Sequence, residues 1–302
     1  MKKIIVIGSS NTDMTVLADR LPAPGETVLG GDFKMGQGGK GANQAIAAKR
    51  LGGDVTFICK VGRDVFAENS IKAYEKDGLD TSSIIRCDTP SGIALITVDS
   101  KAENCIVVAG GANGKVTEAD IEGIADDIKG AAVLLMQLEI PIPAVIKAAK
   151  IARKAGVRVV LNPAPATALP AELLENVDII IPNETEMSLL TGIQVHDQKS
   201  TAEAVGAMRK TGVKDVIVTL GSKGSLVCEN GKEPVLVPAF KVKAVDTTAA
   251  GDTFCGGLCV ALVEGKSLVE AATFASKASS VTVQRMGAQD SIPFRRELED
   301  QQ

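Results

Sequence analysis

An aspartate at the start of an apolar helix is the side chain in this sequence best placed for acid–base chemistry. The tract AVDTTAAGDTFCGGLCVAL predicts a strand that ends near Val245, a loop of small residues, and a helix that begins at Gly251 and Asp252. The first N–H groups of a helix lack partners within it and can neutralise the charge of a migrating phosphoryl group. The Asp252 carboxylate could accept a hydroxyl proton, or it could simply cap the helix.

A second glycine-rich segment, GQGGKGAN, opens another predicted helix. It contains the spacing Gly36-x-Gly38-x-x-Gly41, which in a dinucleotide-binding fold follows the first buried strand. That strand instead ends in GSSNTD, so the context argues against a dehydrogenase. The helix start and Lys40 could hold an anion or a polyol, although an isolated glycine cluster of this kind is usually a flexible turn.

Two further segments have features that suit a nucleotide. In IPNETEMSLL, Asn183 and Glu186 have the spacing of a capping box, which also suits an amide and a carboxylate that organise water around magnesium-bound phosphate. The tract VTLGSKGSLV predicts strand, glycine turn and strand, and such a turn lets the backbone approach a nucleotide closely. No Walker A loop exists, because Val260 stands where the motif ending at residues 265–267 requires its first glycine.

Composition and charge narrow the function further. The 302 residues are 45% hydrophobic and 23% charged, which is typical of a globular protein. The net charge is -4 without a basic run, so a nucleic-acid partner is not expected. The apolar stretch near the N-terminus is far shorter than a signal h-region, and no later run could span a bilayer, so we expect a cytoplasmic protein without membrane attachment.

Three residue types limit the chemistry. With no Trp, one Tyr and seven Phe, a bound sugar would be held by hydrogen bonds rather than by stacked rings. His196 is the only histidine, which excludes a serine-type triad and a multi-histidine metal site, so acid–base work falls to carboxylates or lysines. The six cysteines form no C-x-x-C pair, and most of them lie in apolar segments where free thiols act as small core residues, so we predict inert thiols.

The elements that must position these side chains alternate between short β-branched strands and longer helices. Strands such as KKIIVIG, AAVLLMQL and VRVVLNPA are almost wholly apolar, which predicts a mostly parallel sheet between two layers of helices. Residues 26–35 and 91–111 predict strands without intervening helices, hence a small separate sheet. That sheet could decorate the core or close as a lid over the carboxyl ends of the parallel strands, where ligands of open α/β folds bind.

Taken in order, NTD, GGKGAN, MQLE, NPAP, PNETE, TLGSKG and DTTAAGD resemble the ribokinase branch of the PfkB carbohydrate kinase family over essentially the whole chain. The resemblance implies a single domain over residues 1–302, a ribokinase-like three-layer α/β sandwich with a small β-sheet lid drawn from about 12–35 and 91–111. It implies ATP-dependent phosphorylation of D-ribose to ribose 5-phosphate in ribose catabolism, with Asp252 as general base and the Ala250 and Gly251 N–H groups as anion hole. Mg²⁺ bound with ATP and K⁺ as activator are also implied. The apolar outer face of such a lid would need cover, so we predict a homodimer through the lid strands.

The resemblance also assigns the remaining site residues. The sugar would contact Asn11, Thr12, Asp13, Gly39, Lys40, Gly41, Ala42, Asn43, Glu139 and Asp252. ATP would contact Asn183, Thr219, Leu220, Gly221, Ser222, Lys223, Gly224, Gly251, Asp252 and Ser276, with Glu186 acting on Mg²⁺ indirectly. The monovalent cation would lie at Asp246, Thr248, Thr282, Arg285, Gly287 and Ser291, mostly on backbone carbonyls, although Asp246 could instead just end its strand.

Alternative functions remain open at this point. A deoxyribose kinase or another pentose or nucleoside kinase would share these motifs, but Thr12 resembles ribokinases, whereas deoxyribose enzymes tend to have a bulkier apolar residue there. A sugar-sensing protein could retain the fold without catalysis, and the intact Gly251–Asp252 pair argues against it. Ser276 stands where relatives often have Asn or His near the adenine, which predicts altered base selectivity.

Overall fold

Strands and helices alternate along most of the chain, as the sequence predicts. The computed structural model describes residues 2–101 and 103–299. The strands are β1 (Lys3–Ile7), β2 (Asn11–Leu17), β3 (Phe33–Gly38), β4 (Asp54–Ile58), β5 (Lys60–Val61), β6 (Ile85–Arg86), β7 (Gly92–Val98), β8 (Asn104–Ala109), β9 (Val133–Met136), β10 (Arg158–Leu161), β11 (Ile179–Ile180), β12 (Asp215–Thr219), β13 (Ser225–Cys228) and β14 (Val235–Val237). The α-helices are α1 (Lys40–Arg50), α2 (Val65–Lys76), α3 (Glu118–Gly123), α4 (Ala125–Gly130), α5 (Ile142–Lys154), α6 (Ala171–Leu174), α7 (Glu184–Thr191), α8 (Gln198–Arg209), α9 (Ala250–Val263), α10 (Leu268–Thr282) and α11 (Arg295–Glu299). Short 3₁₀ helices lie at Gly111–Lys115, Gly221–Lys223 and Gln289–Ser291.

An eight-stranded sheet forms the middle layer of the molecule. Its spatial order is β14-β13-β12-β11-β10-β9-β1-β4. All neighbours from β12 to β4 are parallel, and β13 and β14 continue the sheet as an antiparallel extension. The predicted mostly parallel sheet is therefore confirmed.

Helices cover both faces of this sheet and give the predicted three layers. In β1, Ile4 and Val6 pack into one core while Ile5 and Ile7 pack into the other, because successive side chains of a strand point to opposite faces. Helices α1, α2, α9 and α10 contribute to the first core, and α3, α5 and α8 to the second. None of the described helices combines the length and the apolar character that crossing a membrane requires.

Small residues allow α1 and α9 to approach each other closely. A Cβ atom at Gly256 of α9 would lie 2.7 Å from the Gln44 carbonyl oxygen of α1, so a larger residue would push the helices apart. Cys255 and Cys259 of α9 are buried in the same region as small core side chains. This approach brings Asp252, one turn before Gly256, against the first turn of α1.

A separate sheet of four strands is present, as predicted, with the order β3-β2-β7-β8. Its boundaries differ from the prediction in one place. Residues 26–32 were expected to be strand, but the strand begins only at Phe33. The adjacent Gly30 and Gly31 explain the difference, because glycine is a poor strand former and this segment closes a long loop in which the Gly31 N–H donates to the Leu17 carbonyl oxygen at 2.7 Å.

The two sheets meet at the carboxyl end of β1. This strand pairs with β4 on one side and with β9 on the other. The chain after β1 leads to β4, whereas the chain after β9 leads to β10 on the opposite side, so a crevice is left between the carboxyl ends of β1 and β9. Residues 8–10 lead from β1 directly into β2 of the small sheet. The residues that follow β1 and β9 therefore lie beside the base of the small sheet.

Candidate active site

Asp252 is the third residue of α9, and its carboxylate points into the contact with α1. Asn43 Nδ2 donates to Asp252 Oδ2 and Gln44 Nε2 donates to Asp252 Oδ1, each at 2.9 Å. Ala249 is the N-cap of α9, so the interpretation of Asp252 as a simple cap is wrong. The residue is only 7% exposed. Burial raises the pKa of Asp252, while Lys40 and the two amides act in the opposite direction.

The loop before Asp252 has a constrained backbone. Ala249 has φ of 59°, and no other non-glycine residue within 2–101 and 103–299 has a positive φ. An L-residue in this region is strained, and such strain persists where surrounding structure enforces it. The Ala250 N–H donates to the Thr247 carbonyl oxygen at 3.2 Å. In the described part of the chain the Gly251 and Asp252 N–H groups have no acceptor, so the open pair is Gly251 and Asp252 rather than Ala250 and Gly251.

Carboxylates from three motifs act on the charge of the Lys40 amino group. Burial lowers the pKa of Lys40, but the charges of Asp252, Glu139 and Glu186 outweigh burial and leave the pKa above its usual value. Glu139 Oε2 accepts from the Lys40 backbone N–H at 3.0 Å, at the start of α1. That position favours a negative group because the first N–H groups of the helix are unpaired. The site therefore combines one cation with several acidic groups.

Asp13 belongs to the same cluster, although it comes from the small sheet. Burial, followed by the negative charges of Glu139 and Asp252, raises the pKa of Asp13 to about 6. Its carboxylate lies over Gly38 of the neighbouring strand β3, where any Cβ atom would overlap it. The structure thus brings together Asp13, Lys40, Glu139 and Asp252, which were predicted from four separate motifs.

Asn11 lies on the same face of β2 as Asp13 and is held by a residue that was not predicted. Asn113 Nδ2 donates to Asn11 Oδ1 at 2.7 Å, and Asn113 Oδ1 accepts from the Ser10 backbone N–H at 2.9 Å. This contact fixes the Asn11 amide with its nitrogen available as a donor. Asn113 is buried in the segment GGANG after β8, and a polar residue among small ones was the only signal available in the sequence.

The predicted sugar contact by the Thr12 side chain needs correction. Neighbouring residues of a strand point to opposite faces, so Thr12 points away from the face that carries Asn11 and Asp13. It is 1% exposed, and its hydroxyl has no hydrogen-bond partner in the described structure. Its pairing partner on β3, Gln37, accepts a hydrogen bond from Ser70 of α2, which identifies the side to which Thr12 turns.

The remaining predicted sugar contacts lie along the start of α1. Gly39 is its N-cap with φ of 89°, a conformation that favours glycine. The Gly41 N–H donates to Ser9 Oγ at 3.2 Å, and Ser9 Oγ donates to Glu139 Oε2 at 2.5 Å. Ala42 and Asn43 are buried in the first turn. This turn is consequently held against the end of β1.

Asn183 and Glu186 do form the capping box of α7. Asn183 Oδ1 accepts from the Glu186 N–H at 2.7 Å, and the Asn183 N–H donates to Glu186 Oε2 at 2.8 Å. The charges of the site also act on Glu186. Burial raises the pKa of Glu186, the Asn183 N–H and Lys40 lower it, and Asp252 raises it, so that the pKa lies above its usual value. Its carboxylate therefore combines a structural contact with proximity to Lys40 and Asp252.

The predicted nucleotide turn lies next to this capping box. An isolated bridge joins Asn183 to Thr219, the last residue of β12. The turn continues through Leu220, Gly221, Ser222 and Lys223 to Gly224, and both glycines have positive φ, 56° and 103°. The last of the predicted nucleotide residues, Ser276, is buried in α10, one turn after Thr273, which lines an apolar groove with residues 235–240.

The predicted cation residues come from two segments that are hydrogen-bonded to each other. Asp246 Oδ2 accepts from the Gly287 N–H, and Asp246 Oδ1 from the Thr248 N–H, both at 2.9 Å. The side chains of two other predicted residues point elsewhere: the Thr282 hydroxyl donates to Thr253 Oγ1 at 3.0 Å, and the Arg285 guanidinium to Glu297 at 2.5 Å. Ser291 Oγ donates to the Ala288 carbonyl oxygen at 2.7 Å. Thr282 and Arg285 could therefore contact a cation only through their backbone carbonyl oxygens, and oxygen donors of this kind suit a hard cation.

Comparison with known proteins gives consistent matches along the chain. The family model described as "pfkB family carbohydrate kinase" matches residues 1–295. A bifunctional ribokinase/ribose-5-phosphate isomerase A of Fructilactobacillus sanfranciscensis is 46% identical over 298 residues, which are 98% of this chain and 55% of that longer protein. The ribokinase of Haemophilus influenzae is 44% identical over 297 residues, 98% of this chain and 97% of that protein. The structure of Arabidopsis thaliana ribokinase complexed with ribose and ATP has a TM-score of 0.93 at 37% identity and covers 99% of this chain and 98% of that one.

Proposed function

The chain belongs to the pfkB family of carbohydrate kinases, and from that premise we propose that it phosphorylates D-ribose to ribose 5-phosphate with ATP. The proposed mechanism rests on one observation. The buried Asp252 carboxylate lies within the field of Lys40 and directly follows the open N–H of Gly251. A base and an anion-binding group therefore stand side by side where a hydroxyl and a phosphoryl group could meet.

In the proposed reaction Asp252 removes the proton of the 5-hydroxyl of ribose, and the hydroxyl oxygen attacks the terminal phosphorus of ATP. The new O–P bond forms while the bond between that phosphorus and the bridging oxygen breaks, and ADP leaves with the electron pair. The Gly251 and Asp252 N–H groups, with Lys40, neutralise the charge on the transferring group. Since such reactions depend mainly on positioning and charge stabilisation, the rigid contact of α9 with α1 is the main structural requirement.

The sugar would be bound by polar groups on three sides. Asn11 and Asp13 come from the small sheet, Asn43 from α1, and Glu139 follows β9. Backbone groups of Gly39, Gly41 and Ala42 complete the set. Because carboxylates accept from hydroxyls and amides both donate and accept, this set suits vicinal hydroxyls without any aromatic ring.

ATP would lie along Asn183 and residues 219–224, with its base toward Ser276 and the apolar groove. Magnesium usually keeps several waters and takes few protein ligands, and Glu186 offers one carboxylate near Lys40 and Asp252. Bound Mg²⁺ would neutralise charge on the phosphates.

We further propose that a potassium ion binds beside Asp246. ATP and GTP competition kinetics would check the altered base selectivity expected from Ser276, and an ordinary ATP preference would contradict it.

The small sheet would act as a lid and as a dimer interface. On the face opposite Asn11 and Asp13 it carries Val16, Phe33, Met35, Leu95 and Val107, which are 36–62% exposed. An exposed apolar surface of this kind marks a protein contact, and a two-fold pairing of lids would cover it. Light scattering at micromolar concentration should give a dimer for the native protein and a monomer for Leu95→Lys, and a native monomer would contradict the proposal.

A coupled ADP-release assay over a panel of sugars, with Asp252→Asn as the matched variant, tests the function. We expect ribose to be preferred, and turnover of Asp252→Asn to fall by about 10³-fold with sugar affinity little changed. Equal rates on 2-deoxyribose would favour a deoxyribose kinase. Ribose binding without ADP release by the native protein, with Mg-ATP and potassium present, would favour the sugar-sensing alternative.

A further inference from the structure

A buried chain of amide side chains runs from Asp252 into the centre of the molecule. Gln44 Nε2 donates to Asp252 Oδ1 at 2.9 Å and to Asn162 Oδ1 at 3.0 Å. Asn162 Nδ2 in turn donates to the Ile181 carbonyl oxygen at 3.0 Å. Gln137 Nε2 donates to Gln44 Oε1 at 2.6 Å. The three amide side chains are 0–8% exposed.

We propose that Gln44 and Asn162 are positioning residues for phosphoryl transfer, which orient the Asp252 carboxylate and keep it ionised. The inference rests on the proposed role of Asp252 as the base. Gln44 has no exposed surface, so its effect on the reaction passes through Asp252 rather than through contact with a substrate.

The direction of every hydrogen bond in this chain follows from one backbone group. A carbonyl oxygen can only accept, so the Asn162 amide must present its nitrogen to Ile181 and its oxygen to Gln44. Gln44 must then present its nitrogen to Asn162, and the second hydrogen of that nitrogen is directed to Asp252. Reversing any one amide would place two acceptors or two donors face to face in a buried setting, which is costly.

The chain also opposes the effect of burial on Asp252. Burial raises the pKa of this carboxyl, and the Gln44 amide lowers it together with Lys40 and Asn43. A general base must be ionised before it can take a proton, so loss of the Gln44 donor should leave a larger fraction of the enzyme protonated and inactive at mildly acidic pH.

The same chain connects the base to the ends of three strands, one of which leads to Asn183 of the proposed ATP site. Asn162 directly follows β10, and Gln137 directly follows β9. Ile181 follows β11 and precedes the 182–186 segment that begins α7. Gly8 provides room for Gln137, because a Cβ atom there would overlap Gln137 Oε1. The position of Asp252 is therefore tied to the carboxyl ends of three parallel strands.

The test compares Gln44→Met with Gln137→Met in the pH dependence of kcat. Both variants replace a fully buried glutamine with a side chain of similar length, but only the first removes a donor to Asp252. Loss of a hydrogen bond to a charged group should shift the acidic limb of the kcat–pH profile of Gln44→Met to higher pH by about one unit. The kcat on that limb should then fall about tenfold. The shift for Gln137→Met should be much smaller, and ribose affinity measured by calorimetry should be unchanged in both.

Equal shifts in the two variants, or an unmoved limb in Gln44→Met, would overturn the inference. If Gln44→Met does not fold, Asn162→Ala gives the same test, because it frees the Gln44 amide to turn and should also move the limb upward. The proposed function is tested separately by Asp252→Asn. If Asp252→Asn is inactive and the acidic limb of Gln44→Met does not move, only the positioning role is refuted. If Asp252→Asn is active, the role of Asp252 as the base is refuted.

Discussion

Replacing Asp13 by asparagine should stabilise the protein at neutral pH while impairing sugar binding. Asp13 lies in a partly buried position between the small sheet and the start of α1, with Glu139 and Asp252 nearby. Burial, then these two charges, raises its pKa from 3.8 to about 6. The folded protein therefore binds this proton more tightly than the unfolded chain does, and the ionised group costs stability.

The sign and size of the effect follow from this shift. For a group whose pKa is raised on folding, its contribution to stability is fully present below pH 3.8 and is lost as the pH rises through 6. The resulting cost is roughly 2 kcal/mol at pH 5 and roughly 3 kcal/mol at pH 8. Asparagine does not titrate, so the free energy of unfolding of Asp13→Asn, relative to the native protein, should rise by roughly 1 kcal/mol between these pH values.

Urea unfolding of both proteins at pH 5 and pH 8 measures this difference, and packing changes common to both pH values cancel. Asp126→Asn is the control, because the Asp126 side chain is 98% exposed and Lys129 lowers its pKa. Asp126 is therefore ionised over this whole range, and the relative stability of its variant should not change between pH 5 and pH 8. A relative stability of Asp13→Asn that changes by less than about 0.5 kcal/mol between the two pH values would refute the reasoning. The ribose KM at pH 8 should rise by about tenfold or more, with a smaller change in kcat.

Three further substitutions test other contacts. Asn113→Ala should raise the ribose KM and cost about 1–3 kcal/mol of stability, since Asn11 and the Ser10 N–H lose a buried partner; kinetics and urea unfolding check this, and a native KM would contradict it. Thr12→Val should leave the ratio of kcat/KM for ribose and 2-deoxyribose unchanged without loss of stability, because the Thr12 hydroxyl has no partner in the described structure; an altered ratio would return that hydroxyl to the sugar site. Asp246→Ala should abolish stimulation by KCl relative to tetramethylammonium chloride, and stimulation that persists would place the cation elsewhere.

The layered fold was predictable because its signal is local and repeated. Each strand of the parallel sheet is a short apolar run, and burial on both faces leaves no other arrangement for such runs. The error at residues 26–32 arose because Val28 and Leu29 suggest a strand while the following glycines favour a loop. Leu29 is 92% exposed, so no packing contact outweighs the glycines there.

The candidate site was only partly predictable, for a different reason. Asp252, Lys40 and Glu139 stand in motifs whose order along the chain resembles a known family. Thr12 was misplaced because side chains alternate between the two faces of a strand, so that Thr12 cannot share a face with Asn11 and Asp13. Gln44 and Asn113 were missed because an amide in an apolar segment has no visible partner until the fold supplies one.

The distribution of charge explains why a neutral sugar and a charged nucleotide would approach Asp252 from different sides. Asp13 and Glu139 stand on the side of the small sheet, where hydroxyl donors would relieve the mutual repulsion of these carboxylates without adding charge. The open N–H groups at residues 251 and 252 mark the start of α9, where negative charge is favoured. Asp252 lies at this boundary, so its carboxylate could accept a proton on one side while phosphate charge is neutralised on the other. If the phosphates instead lay on the side of Asp13 and Glu139, phosphate oxygens would stand against carboxylates. The proposed reaction therefore depends on the relative positions of the acidic side and the start of α9 more than on any single contact.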